Sequence, residues 1–235
     1  MPNKVIAIDG PSASGKSTVA RKVAASLGYY YVDSGALYRG IAWKASELGC
    51  DVAVTADVVS AMGRMKVEFL VEAGAVRYRI NGYEPRAEIR TERVSELVSV
   101  VAAIPEVRAQ VTGWLRDMSG QGNLVMEGRD IGTVVFPEAE AKFYLDASPE
   151  ERARRRHAEL KPAGETADVV RVMDSLKNRD QRDSGRKTAP LKLAADARVV
   201  DTTGLSIDQV VEQILQWLRG QGIPREPGNI DPASS

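Results

Sequence analysis

Cysteine and histidine are nearly missing from this chain. One cysteine, Cys50, excludes an intrachain disulfide and any Cys-rich zinc site. One histidine, His157, excludes a metal centre built from a histidine cluster. Neither charge is in excess: 32 Lys+Arg stand against 32 Asp+Glu. A protein that grips duplex nucleic acid usually carries a basic surplus, so a nucleic-acid partner is not expected. Long apolar runs are also absent, and nothing approaches the ~18 residues of a membrane span. The opening Met-Pro-Asn-Lys-Val-Ile-Ala-Ile-Asp-Gly reads as a short strand, not a secretory leader. These absences predict a cytoplasmic protein with no membrane partner. Zero net charge and amphipathic patterning add the expectation of a monomer.

What is present is globular: 43% hydrophobic and 27% charged residues over 235 positions. Val5–Asp9 is a short β-branched run, expected as a buried strand. Ser17–Leu27 has helical spacing and stops at Gly28; Tyr29–Val32 is a second strand and Ser34–Leu48 a second helix. This alternation predicts an α/β fold with a mostly parallel sheet. Lys66–Val71 and Ala75–Ile80, with Ala73-Gly74 and Asn81-Gly82, read as antiparallel hairpins. Two helices follow, Glu92–Ile104 and Pro105–Met118, with Pro105 at a first helical position. Residues 60–118 are therefore expected as an insertion outside the core sheet, which is assigned to 1–59 and 119–221. Core strands return at Leu124–Met126, Ala141–Leu145 and Arg198–Asp201, with helices at Glu150–Leu160, Val169–Asp183 and Ile207–Leu218. The segment 222–235 is rich in proline and is expected to be a flexible tail.

Gly10-Pro11-Ser12-Ala13-Ser14-Gly15-Lys16-Ser17 fits G-x-x-x-x-G-K-[ST] between a strand and a helix. In that setting the glycines let successive N–H groups converge on an anion, and the helix start adds its positive end. Lys16 would reach the β- and γ-phosphates of a nucleotide, and Ser17 would offer its hydroxyl to Mg²⁺. The motif specifies only four positions, so a plain glycine-rich strand–helix turn with a lone exposed lysine could also match it. Two further polar clusters follow strands. Asp33-Ser34 with Arg39, and Glu127-Gly128-Arg129-Asp130, both fall where ligands bind in open α/β sheets. Each alone could be an ordinary capped helix or turn. From Glu151 to Lys192 there are 12 Lys/Arg against 7 Asp/Glu. Arg152, Arg154, Arg155 and Arg156 share one helix, and Arg179, Arg182, Asp183 and Arg186 share a face of the next. A solvated, salt-bridged helix could carry such charge. Beside a phosphate loop, it suits neutralisation of two phosphate-bearing substrates.

These residues resemble the bacterial cytidylate kinases, the CMP/dCMP kinases among nucleoside monophosphate kinases. The matching stretches are IDGPSASGKST (8–18), DSGALYR (33–39), VAAIPEVR (101–108), GRDIGTVVFP (128–137), FYLDAS (143–148), ERARRR (151–156) and RDQRDSGRKTAPL (179–191). They span about residues 4–219. The resemblance implies a P-loop kinase core with a parallel five-stranded sheet flanked by helices. It also implies a monophosphate-binding insertion at 60–118 and a short mobile lid at about 157–167. The implied reaction transfers a phosphoryl group from ATP to CMP or dCMP with Mg²⁺. ATP would lie on Gly10, Pro11, Ser12, Ala13, Ser14, Gly15, Lys16, Ser17 and Thr18, with Ser17 toward the metal. Ser34, Arg39, Arg129 and Arg186 match positions around the CMP phosphate, Ser99, Arg108 and Asp130 positions that read cytosine, and Arg179 and Asp183 positions that hold the sugar. Arg156 matches a lid arginine, and with Lys16, Arg129 and Arg186 it forms the implied catalytic set. Glu127 departs from the pattern, since many relatives have Asp there, and its role stays open. The stretch His157–Ala167 matches no motif closely.

The chemistry of these residues is compatible with that reading. Cytosine offers an N4 donor to a carboxylate such as Asp130, and O2 and N3 acceptors to Arg108. Uracil would oppose Asp130 with a lone pair, and unpaired buried polar groups make such discrimination large. Two rivals remain: another P-loop small-molecule kinase, and a non-catalytic nucleotide switch. The first would leave Ser99, Arg108 and Asp130 with no base to read. The second would call for a base-specifying motif such as N-K-x-D, which is absent.

Overall fold

The computed structural model describes residues 3–160 and 168–223. Most of the expected lid (161–167) and most of the expected tail (224–235) lie outside the described residues. The strands are β1 (Val5–Asp9), β2 (Tyr30–Asp33), β3 (Val67–Glu72), β4 (Ala75–Ile80), β5 (Leu124–Gly128), β6 (Ala141–Asp146) and β7 (Arg198–Asp201). The helices are α1 (Lys16–Leu27), α2 (Ser34–Glu47), α3 (Thr55–Gly63), α4 (Glu92–Val101), α5 (Pro105–Asp117), α6 (Pro149–Leu160), α7 (Val169–Ser184) and α8 (Ile207–Gly220).

Five strands pair in parallel in the order β2-β5-β1-β6-β7. Their near-continuous apolar runs follow from burial on both faces. Alternate residues divide between two cores. Val5 and Ala7 face α2, α3, α4 and α5, while Ile6 and Ile8 face α1 and α8. A smaller cluster of Ala153, Val172 and Leu176 holds α6 against α7, and Ala13 of the glycine-rich loop packs on it. That contact brings the arginine-rich helices over the carboxyl end of the sheet. Among the described residues no helix is long and apolar enough to cross a membrane.

The middle of the chain differs from expectation in one respect. The β3–β4 hairpin is not outside the sheet; it extends it to seven strands, β4 lying beside β2. The join is slight, a single register pair of Tyr31 with Ala75 and a bond from Tyr31 N to Gly74 O of 2.9 Å. Alternation in a sequence marks a strand but not its neighbour, so the pairing was not readable. Ala73 and Gly74 (φ 48° and 72°) turn the hairpin, and Asn81 and Gly82 (φ 52° and 80°) make a second reversal onto Tyr83. Helix α3, which the sequence reading left unassigned, runs across the expected boundary at 59/60.

Candidate active site

Strand β1 delivers the chain into a tight loop at the carboxyl edge. Gly10 has φ 148°, and a Cβ there would lie 2.0 Å from the Leu145 carbonyl oxygen, so only glycine allows the approach to β6. Ala13 (φ 60°) and Gly15 (φ 90°) are also left-handed, and this alternation curls the backbone into an N–H-lined concavity. The loop is braced from outside. Thr202 Oγ1 donates to Ser14 O at 3.2 Å, and Ser12 N donates to Asp180 Oδ1 at 3.3 Å.

Lys16 is buried at the first position of α1 and folds back over the loop, its Nζ donating to Pro11 O at 2.5 Å and Ser14 Oγ at 3.3 Å. Burial, and next the Arg129 guanidinium, pull its pKa down to about 7. An ammonium with so little counter-charge is poised for an anion. Glu127, near the end of β5 and also buried, supplies the larger part of the compensating charge, with Asp9 adding to it. It accepts from Tyr31 Oη at 2.8 Å and from Ser17. Burial and then the Asp33 carboxylate push the Glu127 carboxyl up.

The predicted arginines converge on one place. Arg129 donates through Nε to Asp183 at 2.9 Å and through Nη2 to Ser12 Oγ at 3.2 Å. Arg186 pairs with the other oxygen of Asp183. Burial works against ionisation of Asp183, but Arg129, Arg186 and Arg179 outweigh it and hold the carboxyl below its ordinary range. Among the described residues Arg179 is held by no such pair, and its buried Nε has no hydrogen-bond partner. Burial, then Arg129, Arg39 and Arg156, push its pKa down to about 9. Arg39 itself pairs with Asp33 at 2.9 Å, and Arg156 with Glu159 at 3.2 Å. A basic cluster this short of anions fits ligands that bring their own negative charge.

Asp130, the residue after Arg129, points elsewhere. It forms a buried pair with Arg108 of α5, which also donates to Ala102 O at 3.1 Å and lies over the Tyr38 ring at 5.3 Å. Arg108 Nε has no partner. Ser99 is buried on α4. Ser34 donates to Glu127 O at 2.7 Å, an approach that requires glycine at 128, where a Cβ would lie 2.6 Å from the Ser34 hydroxyl.

Five arginines of the dense segment do not join the cluster; Arg154 (paired with Glu151) and Arg171 are exposed, and the other three are as follows. Arg152 is a buried strut, paired with Asp180 and donating to Ala147 O at 3.2 Å and Ser12 O at 3.3 Å. Arg155 bonds Thr202 O at 2.7 Å and Ser14 O at 3.3 Å, and so props the phosphate loop. Arg182 is exposed, because a 16-residue helix against one partner leaves half its turn in water. Charge density in the sequence could not separate struts from ligand-facing arginines. Asp180 sits inside the 179–191 motif with no role assigned to it, and Thr202, which also braces the loop, lies outside every motif.

The comparisons bear directly on this arrangement. A family model described as cytidylate kinase matches residues 6–220. The chain is 45% identical over 214 residues to a cytidylate kinase of Desulfitobacterium hafniense, covering 91% of each chain. It is 44% identical over 212 residues to one of Syntrophotalea carbinolica, covering 90% of each. The chain belongs to the cytidylate kinase family. As a member it is a P-loop kinase of nucleoside monophosphates, and the seven-stranded sheet with its five-stranded parallel part suits that class.

A divalent cation for such a kinase needs hard oxygen donors. Ser17 presents its hydroxyl at the exposed start of α1, hydrogen-bonded to the Glu127 carboxylate. Among the described residues no three His, Cys, Asp or Glu side chains form a metal cage. The hydroxyl is a hard oxygen donor of the kind Mg²⁺ takes beside its waters and substrate phosphates.

Proposed function

We propose that the protein transfers the γ-phosphoryl group of ATP to CMP or dCMP, giving ADP and CDP or dCDP, with the residues divided as follows. The loop Gly10–Thr18 takes the ATP phosphates, and Lys16 swings from Pro11 O onto them. Ser17 would hold Mg²⁺, with Glu127 orienting the hydroxyl and bound water; the ion supplies charge neutralisation between the β- and γ-phosphates. Arg129, Arg186, Arg39 and Ser34 bind the acceptor phosphate, and Arg179 and Asp183 the sugar. Arg156 reaches in from α6 toward the group in flight. Ser99, Arg108 and Asp130 read cytosine. The acceptor is already an anionic phosphate oxygen, so in-line transfer needs positioning and charge rather than a strong base.

The observation that carries this reading is the split at Arg129-Asp130. One side chain touches Ser12 of the glycine-rich loop while the next meets Arg108, so a single dipeptide links that loop with a buried donor–acceptor pair. Residues 60–118, which include Ser99 and Arg108, act as the monophosphate-binding unit, and about 157–167 as the lid. The protein works as a cytoplasmic monomer on free nucleotides, with no nucleic-acid or membrane partner; sedimentation tests the monomer. A coupled assay with ATP, Mg²⁺ and a panel of acceptors tests the activity. CDP and dCDP formation is expected. Transfer to neither CMP nor UMP would point to another small-molecule kinase, and nucleotide binding without transfer to a switch.

A further inference from the structure

Asp9 ends β1, next to Gly10 of the phosphate loop, and is buried. Its carboxylate reaches not toward that loop but across to the segment after β5. Oδ1 accepts from Ile131 N at 2.9 Å and Oδ2 from Gly132 N at 2.8 Å. Those amides open a single π-helical turn, Ile131–Val135, closed by Val135 N to Asp130 O at 3.1 Å and Phe136 N to Ile131 O at 2.7 Å. The first N–H groups of any helical turn lack partners within it. Asp9 supplies both acceptors, one oxygen each, which fixes the turn in rotation as well as position. A Cβ at residue 132 would lie 3.1 Å from the Lys142 side chain and 3.4 Å from Asp9 Oδ2, so glycine keeps this seat clear.

We propose that Asp9 is a positioning residue for base selection: by clamping Ile131 and Gly132 it sets where Asp130 and Arg129 stand relative to the phosphate loop. This rests on the base-reading role given above to Asp130. The clamp ties the two half-sites through one residue, since the backbone of Asp9 leads into the ATP loop while its side chain holds the acceptor side. Burial makes the tie costly to leave unpaired and pushes the carboxyl up to about 6 against the two amide bonds, with Asp130 raising it and Lys16 lowering it. Tyr144 of β6 also faces it, and the Lys142 stem lies beside Gly132.

Asp9→Asn is the test, because the amide keeps the shape but turns one acceptor into a donor aimed at an N–H. Expected are a fall of about tenfold or more in kcat/KM for CMP, a CMP-to-UMP ratio narrowed at least threefold, and an ATP KM within about twofold of wild type. An unchanged ratio in a folded variant, or losses confined to ATP KM, would overturn the proposal. Should Asp9→Asn not fold, the wild-type protein decides by NMR. The Ile131 and Gly132 amide shifts should move together with pH, with a midpoint near 6, and amides of the α8 cap should not. No such titration would equally overturn it. A wild type that fails to prefer CMP over UMP would remove the base-reading role instead, a result the amide titration leaves separate.

Discussion

Replacing Asp130 by asparagine removes one charge from a pair in which both side chains are almost wholly buried. Arg108 would keep its bond to Ala102 O at 3.1 Å and its place over Tyr38, but its charge would face only an amide. Deleting one partner of a buried pair costs about 3–5 kcal/mol. Asparagine retains an acceptor, so the loss is nearer the ~1.5–3 kcal/mol of one charge-assisted hydrogen bond. The variant should therefore melt lower, against the simple expectation that a substrate-facing loop residue leaves folding alone. Its effect on chemistry is separate. Asparagine can meet the N4 donor of cytosine or the O4 acceptor of uracil, so the CMP-to-UMP ratio of kcat/KM should narrow by up to about 1–3 kcal/mol. The assay is kcat/KM for both monophosphates at a temperature where urea melts show the variant folded. A ratio equal to wild type in that folded protein would refute the assignment of Asp130 to the base. An unchanged melt would refute the stabilising role of its pair with Arg108.

Lys16→Ala should lower kcat by about 10²-fold or more in a folded protein, because its charge acts most strongly on the transferring group. Lys16 is held near pH 7 in the free protein, below the ordinary 10.5, so at pH 8.5 it is mostly neutral; phosphates should restore its proton, and calorimetry in buffers of different ionisation enthalpy should show uptake of about one proton on ATP binding. Arg156→Ala should cut kcat by roughly 10²-fold with little change in Tm, whereas Arg152→Ala, which leaves partly exposed Asp180 only its bond from Ser12 N, should lower stability by about 1.5–3 kcal/mol. Hydrogen exchange across α4 and α5 should slow when CMP and a non-hydrolysable ATP analogue are added together, and no slowing would count against closure of the insertion.

The glycine-rich loop was legible in the chain because its residue pattern is contiguous between one strand and one helix, although the approach of Gly10 to Leu145 and the bonds that brace the loop come from distant residues. The parallel core was legible for a similar reason, since Ile6, Ile8 and their neighbours must be buried on both faces. Family resemblance alone suggested a phosphate for Arg129 and a base for Asp130; the tertiary structure sends the two side chains to different partners, Ser12 and Arg108. Other features belong to long-range packing alone. Nothing near Arg152 or Arg155 in the sequence distinguishes a strut from a ligand arginine, because the carbonyls of Ser12 and Ser14 that they hold are about 140 residues away. The seat of the β3–β4 hairpin beside β2 depends on a short register at Tyr31 and Ala75 and on Tyr78 and Ile80 packing into the core under α2. Asp9 reads as the last residue of a strand, and its clamp on Ile131 and Gly132 exists only because β1 and β5 lie side by side. Local sequence determined the glycine-rich loop; only the folded chain decided which charged groups cluster beside it and which brace it.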